Sequence, residues 1–129
     1  MAKFIINKIG HDKDLETFKS EKITVQYKLL DRLQLREALK SKLVEEAREV
    51  QKAESISDII AELADVLEVV DGICKAYGIL HDTVVQEKEK HYKARGGFEK
   101  GLYIETIEMD EDNPKIKHFQ KSPDRYPEI

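Results

Sequence analysis

Acidic residues at helical spacing form the pattern in this sequence that could most directly do chemistry. Glu45, Glu46 and Glu49 form an E-E-x-x-E string, and Glu62 and Asp65 follow as E-x-x-D. Each residue of an α-helix advances about 100° around the helix axis. By that geometry, Glu46 falls inside the apolar stripe of its helix and Glu49 lies on the edge of the stripe. Glu62 falls within the apolar face of the following helix, and Asp65 lies at the border of that face.

Carboxylates in these positions carry a cost that a metal ion would remove. An ionised carboxylate placed against an apolar core is strongly unfavourable unless it is paired or coordinated. If the two helix faces meet, four carboxylates converge and their mutual repulsion raises their pKa values. A divalent cation with all-oxygen ligation, such as Mg²⁺, Mn²⁺ or Ca²⁺, would neutralise them. The alternative is an ordinary solvated helix surface, and the spacing alone leaves both interpretations open.

The first acidic string must lie on a long helix for this geometry to hold. Asp31 and Gln34 stand three residues apart, which is the capping-box arrangement typical of a helix start. The helical periodicity continues to about Ala53. Its apolar stripe consists of Leu35, Leu39, Leu43, Ala47 and Val50. Lys40 and Arg48 point away from the stripe, so neither is predicted to pair with Glu46.

A second long helix carries the other acids. Ser55 or Ser57 can cap its start, and it is predicted to end at Tyr77. Gly78 follows, at the position where a left-handed C-terminal cap is usual. The broad apolar face of this helix consists of Ile59, Leu63, Val66, Leu67, Val70, Ile73 and Cys74.

Shorter elements are predicted around these two helices. The pattern indicates a short surface helix over residues 11–21 and a polar third helix over residues 82–94. Residues 3–9 are weakly strand-like, whereas residues 23–27 and 100–109 alternate apolar and polar side chains as a strand does. The strand over residues 100–109 could pair either with the one over residues 23–27 or with the one over residues 3–9.

These elements predict one mainly α domain. It is a helical bundle over residues 1–109, with a small peripheral β element built from the short N- and C-terminal strands. Residues 110–129 contain all three prolines and many charges, so an extended or flexible C-terminal tail is expected.

Composition narrows the function classes. The formal net charge of the 129 residues is -4, so no basic excess is present to hold a nucleic-acid polymer. Cys74 is the single cysteine, which fits a reducing compartment. No signal peptide or membrane-spanning segment is evident, and a soluble cytoplasmic protein is expected.

Two strings resemble a known superfamily. K-L-V-E-E-A-R-E-V at 42–50, followed by E-L-A-D-V-L at 62–67, is similar to the MazG-like all-α nucleoside triphosphate pyrophosphatases, which carry E-E-x-x-E, a spacer and E-x-x-D. N-K-I-G-H-D-K at 7–13 and R-G-G-F-E-K at 95–100 resemble the opening and closing segments of a small subfamily related to phosphoribosyl-ATP pyrophosphatase. Gly10 and His11 depart from the subfamily opening, which has an apolar residue and Arg there. The resemblance extends to about Glu108.

The resemblance implies roles for the acidic residues. Glu46, Glu49, Glu62 and Asp65 would bind Mg²⁺, for which Mn²⁺ could substitute. Glu45 and Glu46 would be the catalytic residues, with Glu45 orienting or deprotonating the attacking water.

The resemblance also implies basic residues that hold the substrate phosphates. Lys88, Lys93 and Arg95 lie on or just after the third helix, and Lys8 lies in the opening segment. Arg95 is the favoured candidate, because the forked donors of arginine suit phosphate. Lysines on such a helix are also commonly a solvated face, and that alternative stays open for each of them.

The activity implied is Mg²⁺-dependent hydrolysis of a nucleoside triphosphate between the α- and β-phosphates, which gives the monophosphate and pyrophosphate and could remove unwanted nucleotides. The chain would work as a homodimer or homotetramer. The alternatives are a phosphoribosyl-ATP pyrophosphatase and a non-catalytic helical module that binds metal or nucleotide.

Overall fold

The structure is a computed structural model that describes residues 1–129, and it is mainly helical. The chain divides into two compact units, Met1–Lys93 and Ala94–Ile129. None of the helices combines the length and the apolar character needed to cross a bilayer. The five helices are α1 (Asp14–Ser20), α2 (Arg32–Lys52), α3 (Ile56–Tyr77), α4 (His81–Arg95) and α5 (Ile116–Gln120).

The start of α2 is fixed by the capping box that the sequence predicts. The Asp31 carboxylate accepts a hydrogen bond from the backbone N–H of Gln34 at 2.8 Å. In return, the Gln34 side-chain oxygen accepts from the backbone N–H of Asp31 at 3.1 Å. Two backbone donors that the helix itself leaves unpaired are thereby satisfied. The helix ends at Lys52, where Ala53 turns to an extended conformation.

Both ends of α3 are also closed as the sequence predicts. The Ser55 hydroxyl accepts a hydrogen bond from the backbone N–H of Asp58 at 3.1 Å. At the other end Gly78 is left-handed, with a φ of 68°. The N–H of Ile79 then donates to the carbonyl of Cys74 at 2.8 Å, which completes a Schellman-type cap. The turn requires a positive φ, which glycine adopts at little cost.

The packing of α2 against α3 is the main contact between helices. The three buried apolar residues, Val69, Cys74 and Ala76, all lie on α3. Gly72 faces Leu39 so closely that a Cβ at residue 72 would lie 3.4 Å from a Leu39 methyl carbon. Burial of apolar surface drives this pairing, and the pairing brings the acid-bearing faces of the two helices together.

A polar contact ties the start of α2 to the end of α3. The Arg36 Nε–H donates to the carbonyl of Ala76 at 2.9 Å. The Arg36 guanidinium also lies over the Tyr77 ring, 4.5 Å from its centroid. The contact satisfies a carbonyl near the C-terminal end of α3 and places a cation where the helix dipole favours one.

Two histidine–carboxylate contacts attach neighbouring segments to α3. His11 Nε2 lies 2.6 Å from a Glu68 carboxylate oxygen, which holds the N-terminal segment against α3. His81 Nδ1 lies 2.8 Å from an Asp71 carboxylate oxygen, which holds the start of α4 against the same helix.

The predicted β element is absent, and this prediction is wrong. Residues 3–9, 23–27 and 100–109 contain no strand, and many of their apolar side chains are exposed. Alternation reports only a local preference, whereas a strand also needs a partner for its backbone hydrogen bonds. No backbone ladder forms within either compact unit.

The second unit contains a short helix within the segment predicted to be extended or flexible. The Asn113 side chain accepts from the backbone N–H of Lys115 at 2.9 Å, just before α5 begins. Phe119 and Tyr126 then meet edge to face, with ring centroids 5.0 Å apart. This aromatic contact gives the segment a small hydrophobic cluster of its own.

The capping box predicts how α2 responds to substitution of Asp31. Asp31→Ala removes the acceptor for the Gln34 N–H, so the free energy of unfolding is expected to fall by about 1 kcal/mol. Asp31→Asn keeps an acceptor oxygen and is the matched control, with little expected change. Urea denaturation followed by circular dichroism measures both. Equal loss in the two variants would contradict a capping role and indicate a role for the charge.

Candidate functional site

Three of the predicted metal ligands converge where α2 meets α3. Glu46, Glu62 and Asp65 each offer a carboxylate oxygen, and the three oxygens lie within 4.8 Å of one another. We call these residues the acidic cluster. Glu46 is only 7% exposed, Glu62 is half-buried and Asp65 is exposed. The cluster therefore runs from the helix interface to solvent, which leaves one side open to a ligand.

Burial and the neighbouring carboxylates both act on the pKa of Glu62 in the acidic cluster. Burial raises the pKa of Glu62 above its ordinary value of 4.5, and repulsion from nearby carboxylates raises this pKa further. The repelling groups are Asp65, Glu46, Glu49 and Asp58. A cation among these oxygens would favour the ionised form of Glu62 and reverse the shift.

Lys42 is a partner of Glu46 that the sequence did not predict. Its ammonium lies 3.2 Å from a Glu46 oxygen and 3.5 Å from a Glu45 oxygen. Burial acts to lower the pKa of Lys42, but the hydrogen bond to Glu46 and the two carboxylate charges raise it on balance. Lys42 therefore stays protonated beside the cluster. The signal available in the sequence was the four-residue spacing from Lys42 to Glu46, which places both on one helix face.

Glu45 lies next to the acidic cluster but is held by two cations. Lys8 Nζ is 3.1 Å from the Glu45 oxygen that Lys42 also approaches. The hydrogen bond from Lys8 is the main cause of the lowered pKa of Glu45, and the charges of Lys42 and Lys8 add to it. A carboxylate with a lowered pKa is a weaker proton acceptor but a dependable hydrogen-bond acceptor.

Glu49, the fourth predicted metal ligand, is not brought into the acidic cluster. It is half-buried and forms its ion pair with Lys52 at 3.9 Å. Its charge still contributes to the raised pKa of Glu62. Glu49 is therefore close enough to affect the pKa of Glu62, although none of its oxygens belongs to the acidic cluster.

The predicted phosphate-binding residues fall into two groups. Lys8 contacts Glu45, as described above. Lys88 and Lys93 are exposed on α4 and take part in none of the ion pairs. Arg95 is exposed, ends α4 and is followed by Gly96, whose φ is 77°.

A cavity of about 470 Å³ adjoins the acidic side of α2. The N-terminal segment closes one wall, and α2 forms the floor. Sequence patterns did not single out this cavity, because it depends on the N-terminal segment lying beside α2. Its lining residues are Asn7, Lys8, Ile9, Ala38, Ser41, Lys42, Glu45 and Arg48.

Comparisons of this chain with protein-family models, with curated proteins and with solved structures found no match.

The raised pKa of Glu62 predicts that the stability of the wild type depends on pH. A raised pKa means that the native state binds more protons than the unfolded state above pH 4.5, so stability falls as pH rises through that window. Glu62→Gln removes the charge, and in EDTA at pH 7 the variant is expected to melt at a higher temperature than the wild type. Below pH 4.5 Glu62 is protonated in both states, and the difference is expected to disappear.

Differential scanning calorimetry at several pH values measures this difference. Glu54→Gln removes one carboxylate in the loop between α2 and α3 and is the matched control, with no expected change. A wild type as stable as Glu62→Gln at pH 7 would contradict a raised pKa of Glu62 in the native state.

Proposed function

We propose that this chain is a Mg²⁺-dependent nucleotide pyrophosphohydrolase, which cleaves a nucleoside triphosphate between the α- and β-phosphates. The observation that carries the proposal is the convergence of Glu46, Glu62 and Asp65 within 4.8 Å. These acids come from the E-E-x-x-E and E-x-x-D strings, whose order resembles that of the MazG-like pyrophosphatases. An acidic cluster alone would support any divalent-ion site, and the two strings direct the proposal to the hydrolysis of a phosphoric anhydride.

The acidic cluster fits Mg²⁺ in size and ligand type. Mg²⁺ holds oxygen ligands at about 2.1 Å, so two ligands on opposite sides of the ion lie about 4.2 Å apart. The three carboxylate oxygens lie within 4.8 Å of one another, so small side-chain adjustments would suffice. Glu46, Glu62 and Asp65 would hold the ion, and Glu49 would reach it only by leaving Lys52. Mn²⁺ prefers similar ligands and could substitute.

The residues around the ion would position the reaction. Bound Mg²⁺ would supply positive charge to the triphosphate and increase the acidity of water. Lys42 fixes the Glu46 side chain, which keeps that carboxylate pointed at the cluster. Glu45 stays ionised beside Lys8 and Lys42, so it can orient the attacking water by accepting its hydrogen bond. These groups are held in place before substrate binds, which reduces the reorganisation needed in the transition state.

The proposal includes cations for the phosphates. Lys8 already lies beside Glu45, the residue that precedes Glu46 of the acidic cluster. Lys88, Lys93 and Arg95 have exposed side chains and remain proposed phosphate contacts through the resemblance alone.

Association of two or more copies is part of the proposal. Four apolar residues of α3 lie on one side of the helix at i, i+4, i+7 and i+11 and are 47% to 75% exposed. Few residues of the chain are fully buried. A second copy covering this stripe would bury apolar surface that a single chain leaves in water. We therefore propose a homodimer or homotetramer. The stripe consists of Ile56, Ile60, Leu63 and Leu67.

Hydrolysis is tested with a panel of nucleoside triphosphates and phosphoribosyl-ATP, with Mg²⁺ or with EDTA, by quantifying pyrophosphate and monophosphate. Mg²⁺-dependent release from a triphosphate is expected. Glu62→Gln and Asp65→Asn should lower turnover on the order of a hundredfold or more, because each removes a charged ligand. Glu54→Gln is the control and should retain turnover. Release from phosphoribosyl-ATP alone would identify the alternative substrate, and no release from any compound would contradict an enzyme.

Metal binding is tested separately from turnover by the melting temperature. Mg²⁺ at about 100 times its Kd would stabilise the native state by roughly 2.7 kcal/mol. For a chain of this size that corresponds to a rise in Tm of about 10 °C. The wild type is expected to show this rise and Glu62→Gln is not. A wild-type Tm that does not respond to Mg²⁺ would contradict the metal site.

A further inference from the structure

The cavity beside α2 is basic on a chain that is acidic as a whole. Three cationic side chains, Lys8, Lys42 and Arg48, line it against the single carboxylate of Glu45. The chain has a formal net charge of -4, so this concentration of positive charge is local. A concave surface with excess positive charge focuses its field on an anionic ligand.

Much of the hydrogen-bonding capacity of these cations is unused within the chain. Arg48 takes part in none of the ion pairs, and its guanidinium carries five N–H donors. Lys8 contacts one carboxylate, although an ammonium has three donors. Lys42 divides its contacts between Glu45 and Glu46. The cavity therefore presents donors to a ligand without breaking the existing pairs.

The cavity and the acidic cluster lie side by side on α2. Counting about 100° per residue, Glu45 lies about 100° from Glu46 around the helix axis. Lys42 lies between them, 3.5 Å from a Glu45 oxygen and 3.2 Å from a Glu46 oxygen. One ammonium thus borders both sites. A ligand with several linked phosphates could contact a metal at the cluster through one phosphate and enter the cavity with the next.

We propose that this cavity binds the pyrophosphate portion of the substrate, with Arg48 as its main anchor and with Lys8 and Lys42 as additional ligands. The identity of the ligand rests on the proposed function. The cavity volume of about 470 Å³ falls in the range of small-molecule sites. The forked donors of arginine match two oxygens of one phosphate group, and the Ser41 hydroxyl offers a further donor.

The two sites divide the substrate between them. The acidic cluster would bind its part of the substrate through a metal ion held by carboxylate oxygens. The cavity would bind pyrophosphate directly through N–H donors and would require no metal. Pyrophosphate is therefore expected to bind the cavity in the absence of any divalent ion. It is also expected to inhibit hydrolysis in competition with the triphosphate, because both occupy the same donors.

Isothermal titration calorimetry with pyrophosphate in EDTA tests the cavity directly. The wild-type chain is expected to bind, and Arg48→Ala is expected to weaken binding on the order of tenfold or more. Arg48→Lys keeps the charge but loses the fork, so an intermediate affinity is expected. Arg32→Ala is the matched control: Arg32 lies on the same helix, is exposed and lies outside the cavity. It should bind as the wild type does. Circular dichroism establishes that all the variants are folded.

The same experiment separates the cavity from the catalytic proposal. Glu62→Gln should lose hydrolysis while still binding pyrophosphate in EDTA, because it leaves the cavity intact. Binding without hydrolysis by the wild type would support the cavity and contradict the enzyme. No pyrophosphate binding by the wild type would overturn the cavity proposal, as would equal losses in Arg48→Ala and Arg32→Ala. Equal affinity for orthophosphate and pyrophosphate would also overturn it, because a single phosphate group would then account for the binding.

Discussion

The packing of α2 against α3 buries the Glu46 carboxylate in the interface between the two helices. The other features of the site follow from the burial of this charge. A helix that packs through its apolar stripe carries most of that stripe into the interface, and Glu46 is buried with it. The negative charge of Glu46 is paired with the ammonium group of Lys42 on the same helix. Glu62 approaches from the opposite helix and has no cation beside it, and burial together with repulsion from neighbouring acids raises its pKa. The interface therefore holds more negative charge than its own cations neutralise.

The features that depend on local chemistry could be predicted from the sequence. Asp31, Ser55 and Gly78 each form hydrogen bonds or turns with residues close to them in the sequence. The start of α2 and both ends of α3 could therefore be predicted from the sequence. The burial of Glu46 followed from its angular position on the helix. Convergence with Glu62 and Asp65 needed only that the two apolar faces meet, which burial of apolar surface favours.

Features that depend on distant or absent partners could not be predicted. Residues 100–109 have the alternation of a strand, but strand formation depends on an edge that the sequence pattern does not reveal. The cavity at Arg48 depends on residues of the N-terminal segment that lie beside α2, and the sequence pattern of α2 does not indicate them. Lys42 illustrates a third case. Its spacing to Glu46 is visible in the sequence, but the same spacing is common on solvated helices and does not by itself indicate a buried ion pair.

The contact of Gly72 with Leu39 sets how closely the two helices approach. Alanine at residue 72 would make an ordinary contact with the Leu39 methyl group. A larger side chain would have to displace the Leu39 side chain or the helix that carries it. Residue 72 lies about two helical turns from Asp65, so a change in helix separation there would also widen the gap between the carboxylates of opposite helices. Mg²⁺ demands short, regular oxygen distances, whereas Ca²⁺ accepts longer and more varied ones. If the acidic cluster holds an ion, Gly72 therefore helps to decide which ion size fits, although it touches no ligand.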